Sequence, residues 1–435
     1  MLIYPSGIST QLSNKATVNS GRNSLRWASV LALGMGMLIY GVAESYGPVY
    51  AISGVIPPNL AFWGYSLPFI AGGIGAFLAG YLADAIGRKK SFIITATMLV
   101  AGVAVYSVAQ NSLPALLLSF ALVGTAAIGL ETPTLAAVAE QASADRRGKL
   151  LVITQNFGNV GVALAFVPIL LGLARYQNTI AISLMFFAPL LALIASWILV
   201  NESEPWDAVR SHQESRVIKA WKDRDGEAPS VQPKGGLKAR LLTLIGIGVA
   251  QDVGFVYVTY GVAYSYFPSL ASEVPLIGGF AMTLIGIAAA LWMVPKVERK
   301  TFAVLSYGLQ LILWLLLWIF VDITGSMAGL ALLAIITVLF IPVEITWAVR
   351  ALLEPELFGT ERRGLYVSLV RMVVWVTTGI ITGILTAGLF SFTFNEAMAI
   401  TTVVFALGFG AALAWMFLGF ETKDKSLLGH DVKSI

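Results

Sequence analysis

The sequence predicts an all-α membrane protein: twelve spanning helices in two pseudo-symmetric bundles of six. Three observations carry that expectation. Hydrophobic residues make up 57% of the chain and charged residues only 12%, against roughly 25% charged in a soluble domain. The mean hydropathy is +0.80, and a soluble chain this apolar would expose a greasy surface and aggregate. Apolar runs long enough to span a bilayer, about 20 residues each, recur along the whole chain. The second half also repeats features of the first.

The twelve apolar segments begin near Leu25, Leu60, Ser91, Ser112, Leu150, Thr179, Leu237, Val274, Thr301, Ser326, Leu365 and Asn395. They are numbered 1 to 12 below. A short polar or Gly/Pro-containing turn follows each. Residues 1–24 form a polar tail, and nothing in them resembles a cleaved leader. Segments 1–6 fill 25–200. Residues 201–236, with Pro205, Pro229, Pro233 and Gly235-Gly236, are the only long polar stretch and read as a solvated linker. A short surface helix is expected around 216–222, with Val217 and Trp221 toward lipid headgroups. Segments 7–12 fill 237–420, and 421–435 form a second polar tail.

The repeats support two related halves. In segment 1, Gly41-Val42-Ala43-Glu44-Ser45-Tyr46-Gly47-Pro48-Val49-Tyr50 matches Gly248-Val249-Ala250-Gln251-Asp252-Val253-Gly254-Phe255-Val256-Tyr257 of segment 7. Glu131 followed by Arg146-Arg147-Gly148 is echoed by Glu344 followed by Arg362-Arg363-Gly364. Loop 8–9, ending Glu298-Arg299-Lys300, is a weakened copy of loop 2–3.

Of the 28 Lys and Arg, all but Arg175, Arg350 and Arg371 fall in the tails, the linker and the even-to-odd loops. Positive charge stays on the cytoplasmic side, so both termini and the linker are expected there, in an inner or plasma membrane. The bases are spread among loops, which gives no nucleic-acid footprint. The absence of cysteine excludes disulfides, thiolate metal sites and cysteine nucleophiles. His212 and His430 lie in polar segments, so no buried histidine relay or metal cluster is expected, no cofactor is implied, and no constellation supports an enzyme.

Loop 2–3 reads Gly80-Tyr81-Leu82-Ala83-Asp84-Ala85-Ile86-Gly87-Arg88-Lys89-Lys90. It resembles the signature loop of the major facilitator superfamily, G-x-L-A-D-x-x-G-R-K/R-K/R. Glu202-Ser203-Glu204-Pro205-Trp206 is similar to a run after helix 6 of sugar porters and their relatives. Glu356-Leu357-Phe358-Gly359-Thr360-Glu361-Arg362-Arg363-Gly364 is similar to their E-x-F-P-T-x-x-R-G, with Gly359 in place of proline. Glu131-Thr132-Pro133 looks like the helix-4 region of phosphate:proton symporters. The resemblance covers about 25–420 and implies a monomeric secondary transporter, working by alternating access around a central cavity lined by segments 1, 4, 7 and 10. It points to the broad sugar, metabolite and organic-ion group. It also implies that Asp84, Gly87, Arg88, Glu140, Arg146 and Arg147, with Glu356, Arg362 and Arg363 at the matching place in the second half, form a gate of charges at the cytoplasmic end.

A charge facing lipid is costly, so ionisable residues within spans are functional candidates. Glu44, Glu131, Asp252 and Glu344 fall on the four cavity segments. A partly dehydrated carboxylate can take and release a proton near neutral pH, which makes these the candidates for proton coupling. Arg371, two turns into segment 11, offers a planar fork matched to carboxylate or phosphate. It is expected to bind an anionic substrate group, to pair with Glu344, or to do both in competition. Gln155, Asn156 and Asn159 on segment 5, Tyr257 and Tyr260 on segment 7, and Trp347 and Trp375 are further substrate-site candidates. The leading expectation is proton-coupled symport of a small organic or inorganic anion. The alternatives are a proton-driven antiporter exporting cationic or lipophilic compounds, and a symporter for a sugar or another neutral metabolite. A receptor or sensor built on the same fold is disfavoured.

Overall fold

A computed structural model describes residues 27–52, 56–108, 112–172, 198–324, 330–386 and 392–432, with single positions at 187, 190, 191, 193–195 and 390. Among these, ten helices are long and apolar enough to cross a membrane. They are segment 1 (Trp27–Ile52), 2 (Ala61–Ile86), 4 (Leu113–Gln141), 5 (Ala144–Pro168), 7 (Leu237–Tyr266), 8 (Glu273–Met293), 9 (Arg299–Thr324), 10 (Leu330–Glu356), 11 (Thr360–Thr386) and 12 (Phe394–Leu418). Segment 3 is the helix Arg88–Val108, whose three leading bases lower its hydropathy. Most of segment 6, the 1–24 tail and Arg175 lie outside the described residues.

Helices suit this setting because every backbone group must be satisfied within the membrane. Pro68, Pro133, Pro168, Pro342 and Pro355 sit inside them, tolerated where neighbouring helices support the freed carbonyls. Helical regularity is lost at several places along the spans. The α-helical run of segment 1 breaks at Ser45, directly after Glu44. Segment 7 widens into a π-helical turn over Tyr257–Gly261, a distortion common at functional sites.

The two halves meet along two seams, segment 2 against segment 11 and segment 5 against segment 8. Small residues let the backbones close in. A Cβ on Gly364 would lie 2.5 Å from the Gly80 carbonyl oxygen, and one on Gly73 would lie 2.9 Å from that of Met372. The outward faces carry exposed apolar side chains such as Leu78, Leu284, Leu316 and Leu407, as a lipid-facing surface requires.

The linker holds the helix expected around 216–222 but differs from its expectation in what that helix faces. It forms two helices, Glu204–Arg210 and Glu214–Asp225. Val217 and Trp221 are fully buried; they face protein, not lipid headgroups. Trp221 Nε1 donates to Asp431 (2.8 Å), and the Arg224 guanidinium lies over its ring at 4.1 Å. The C-terminal tail folds back on the same surface. Ser426 and Ser230 form an isolated parallel bridge, and Asp431 accepts from Thr360 N (2.7 Å) and Thr360 Oγ1 (2.8 Å). Helices 5 and 11 also start earlier than the apolar runs suggest, because their charged first turns are helical. That winding carries Arg147 and Arg363 into the protein.

Candidate functional site

Charged residues gather in two places. The first is the end of the bundle where loops 2–3, 4–5, 8–9 and 10–11 meet the linker and tail, here called the basic face. Gly87 turns the chain between segments 2 and 3 at φ +110°, a conformation costly for any residue with a Cβ. The turn presents Arg88, whose guanidinium meets Asp84 (2.7 Å), Glu140 (2.6 and 3.0 Å) and the Thr360 carbonyl (2.8 Å). Glu140 also receives Arg363 (2.5 Å) from the other half. Asp84 accepts the backbone N–H groups of Gly364 (3.0 Å) and Leu365 (2.7 Å). One set of contacts therefore bolts segments 2 and 4 to the start of segment 11.

The second half holds a matching set. Arg299 meets Glu356 at 3.3 Å, as Arg88 meets Glu140. Glu202 accepts the backbone N–H of Arg88 (2.8 Å), and Glu421 accepts that of Arg299 (3.0 Å). Arg147 reaches Asp225 of the linker (3.7 Å) and the Lys425 carbonyl (3.0 Å). The expected members Asp84, Gly87, Arg88, Glu140, Arg147, Glu356 and Arg363 thus lie at or in these contacts. Arg146 and Arg362 do not. Arg146 is exposed and, among the described residues, its one ion pair is with Asp145 at 3.8 Å, and Arg362 is exposed. Neighbours on a helix point about 100° apart, at 3.6 residues per turn. Only one arginine of each pair can face inward, and it is the second, Arg147 and Arg363.

Two groups of the tail are moved from their ordinary ionisation. Burial, with Arg363 and Arg240 nearby, pushes His430 down to about 3. The neutral ring lies 3.0 Å from the Glu356 carbonyl oxygen. Burial raises Asp431 above the usual carboxylate range, against the pull of Arg363 and its hydrogen bonds.

The second gathering lies within the spans. Arg350 meets Asp252 (2.5 Å), Gln251 (2.5 Å) and Glu354 (2.8 Å). Glu354 also meets Arg371 at 2.5 Å. Arg371 pairs in turn with Glu131 across the two halves, and Gln155 donates to Glu131 at 3.3 Å. The result is a continuous chain, Asp252–Arg350–Glu354–Arg371–Glu131–Gln155, from segments 7, 10, 11, 4 and 5. Each member is at most 2% exposed. It contains three carboxylates and two guanidiniums.

Arg371 does not pair with Glu344. Ten residues separate Glu344 from Glu354, about 15 Å along a helix, which puts the two on different levels. Glu344 instead accepts from Asn159 (2.7 Å), and Asn156 donates to the Thr283 carbonyl across the halves (2.8 Å). Glu44 is 1% exposed, beside Tyr40, and belongs to neither chain. No ion pair reaches Glu44 or Glu344 among the described residues.

Aromatic rings pack together across the same helices. Trp347 stacks against Tyr40 (6.3 Å) and Phe255 (6.1 Å). Trp375 stacks on Phe69 at 5.5 Å and meets Tyr40 edge-on. The Tyr260 hydroxyl lies 2.8 Å from Ser45 Oγ of segment 1, and its ring stacks on Phe166 of segment 5. Tyr257 turns the other way, toward Trp314 of segment 9, so its ring packs within the second half, away from the seam.

Sequence reasoning passed over Glu354 and left Arg350 as a helix residue with no role. Their i,i+4 spacing on an apolar helix is a legible signal for an intrahelical pair. Arg147 and Arg363, equivalent positions of the repeat, were expected in the gate beside Arg146 and Arg362, and the structure separates the two members of each pair. The tail contacts of Glu421 and Asp431 had no such marker.

The profile of the Major Facilitator Superfamily matches residues 24–376. YncC of Bacillus subtilis, a protein assigned to metabolite transport, is 28% identical over 408 residues, 83% of each chain. The glucose transporter GlcP of Staphylococcus epidermidis is 24% identical, covering 90% of this chain and 94% of its own. The proton:xylose symporter XylE bound to 6-bromo-6-deoxy-D-glucose superposes with a TM-score of 0.68 at 20% identity, over 95% of this chain and 99% of that one. The human organic anion transporter MFSD10 gives 0.61 at 15% identity, over 91% and 99%. The chain belongs to the major facilitator superfamily. It is an integral membrane transporter and not an enzyme.

Proposed function

We propose that the protein moves a small, hydroxyl-rich metabolite of the sugar class together with protons, by alternating closure of its two halves. One observation carries the choice of substrate. The guanidinium that an anion would need, Arg371, is held by Glu131 and Glu354. An anion would have to displace two buried carboxylates to reach it. The remaining candidates are amides and rings: Gln155, Asn156, Asn159, Tyr260, Trp347 and Trp375. Amides exchange hydrogen bonds with hydroxyls in both directions, and indole faces pack on the C–H faces of a sugar ring. The glucose transporter among the relatives fits the same chemistry.

Proton coupling is supported by charge balance. Three carboxylates share two guanidiniums in the buried chain, and Glu44 adds a carboxylate with no cation beside it. An uncompensated charge at that depth is costly, and a proton on one carboxyl removes it. Glu44, Glu131 and Asp252 are the proposed proton carriers. The excess of bases there supports a cytoplasmic position for the basic face, and its ion pairs are the proposed inner gate. Exposed pairs are weak one by one, but these are buried and act together on a two-state equilibrium.

The test is uptake into proteoliposomes with an acid-outside gradient, using labelled hexoses, pentoses, polyols, phosphate and carboxylates. Gradient-dependent accumulation of a sugar or polyol is the expected result. Accumulation of an anion, lost in Arg371→Ala, would overturn this reading in favour of an anion symporter.

A further inference from the structure

We propose that Glu344 is the counter-ion for a basic nitrogen on the substrate, so that the transported metabolite is an amino-bearing sugar or a related hydroxylated amine. The inference rests on the function proposed above and adds one functional group to the substrate. Glu344 is 2% exposed and stands apart from the Asp252–Glu131 chain, with no ion pair among the described residues. Its described hydrogen-bond partner is Asn159 Nδ2, at 2.7 Å. Asn159 is itself fully buried, and its Oδ1 has no partner. A carboxylate and an amide oxygen are both acceptors. A group that offers several N–H donors and accepts nothing, an ammonium, matches them better than a hydroxyl does.

The surroundings favour the same group. Trp347 lies three residues beyond Glu344, on the neighbouring part of the same helix face. It forms a stack with Tyr40 and Phe255. Aromatic faces attract ammonium groups, most strongly where water is excluded. The total charge points the same way. Five buried carboxylates (Glu44, Glu131, Asp252, Glu344, Glu354) face two buried guanidiniums (Arg350, Arg371) within the spans. One proton balances the Asp252–Glu131 chain but leaves Glu344 without a countercharge. With the halves joined, Asn159 supplies a donor to Glu344 from the opposite half. The substrate ammonium takes that donor's place when the halves part, which ties cargo binding to the seam of segments 5, 8 and 10.

Three probes share one skeleton and separate the possibilities: glucosamine, glucose and N-acetylglucosamine. Their binding to the purified full-length protein is read by thermal shift at about pH 6, and their movement by counterflow in proteoliposomes. The expected result is a preference for glucosamine of about tenfold or more over the two uncharged probes. That ratio collapses toward one in Glu344→Gln and persists in Glu344→Asp, which keeps the charge. Glu344→Asp also controls for folding. Equal recognition of all three, with a ratio that Glu344→Gln leaves alone, overturns the inference while the sugar-class function stands. Failure of every hydroxylated probe to bind or move overturns the function itself, and the inference with it.

Discussion

The basic face and the membrane-buried chain are built from the same parts, arginines and carboxylates linking the two halves, yet they balance differently. At the basic face, five arginines (Arg88, Arg147, Arg224, Arg299, Arg363) pair with four carboxylates (Asp84, Glu140, Asp225, Glu356). Backbone carbonyls and N–H groups from loops and tail satisfy much of the rest. In the membrane-buried chain the excess is reversed, with two arginines against three carboxylates, and all the pairing is between side chains. Helical backbone within the spans has few free groups to lend. Surplus positive charge near the surface can be met by water and anionic headgroups. Surplus negative charge in the interior can be met only by a proton or a cation. The first arrangement suits a latch and the second suits a carrier of charge.

That difference can be broken most forcefully at Arg371. Arg371→Ala strands Glu131 and Glu354 and is expected to destabilise the protein by about 3–5 kcal/mol, read as a drop in thermal unfolding temperature in detergent. Adding Glu354→Gln should recover part of the loss, because one stranded charge is removed. Full additivity of the two changes would sink the ion-chain account.

A smaller effect, on conformation more than stability, is expected from Arg88→Ala. It frees Glu140, Asp84 and the Thr360 carbonyl together and should shift the halves apart at the basic face by a few kcal/mol. The natural chain has no cysteine, so Ser368→Cys on the buried seam of segment 11 gives a clean maleimide probe. Labelling should speed up by about tenfold or more in the Arg88→Ala background. An unchanged rate would show that the cluster does not hold the seam.

The tail tests the basic face through pH. His430 has a folded value of about 3 against an ordinary 6.5. Below about 6.5 the released chain takes a proton that the docked ring refuses, so docking weakens as pH falls from 6.5 toward 3. Asp431, raised by burial, works in the opposite direction in its own, lower range. One pH unit below 6.5 the His430 contribution amounts to about 1 kcal/mol. Proteolysis of the tail should therefore quicken on mild acidification, and His430→Gln should flatten that dependence.

The smallest effects mark the outer edge of the cluster. Arg146→Ala and Arg362→Ala should each stay within about 0.5 kcal/mol of the parent, whereas Arg147→Ala and Arg363→Ala should cost several times more. Equal losses from both members of a pair would mean that register does not decide which arginine gates.

The sequence made the helices legible because membrane insertion is decided by local hydropathy, and the loop 2–3 run made the superfamily legible. It also made Asp84, Arg88 and Glu140 legible as a group. The partners of Arg371 were not legible. Glu131, Glu354 and Glu344 are all acids on neighbouring segments, and hydropathy says nothing about their depth or facing. The choice between Arg146 and Arg147 was hidden for a related reason, because the apolar run begins after both and the helix begins before them.

Composition and pattern by themselves determined a bundle of membrane helices, two related halves, a basic face and a short roster of buried charges. These properties are local or additive along the chain, so they can be read one residue at a time. The tertiary structure alone decided that Arg371 is paired with Glu131 and Glu354, that Glu344 stands apart with Asn159, and that the linker and tail fold onto the basic face. Each of these depends on the rotation and axial offset of one helix against another. Those offsets are set by close backbone contacts such as Gly80 against Gly364, and no single segment encodes them.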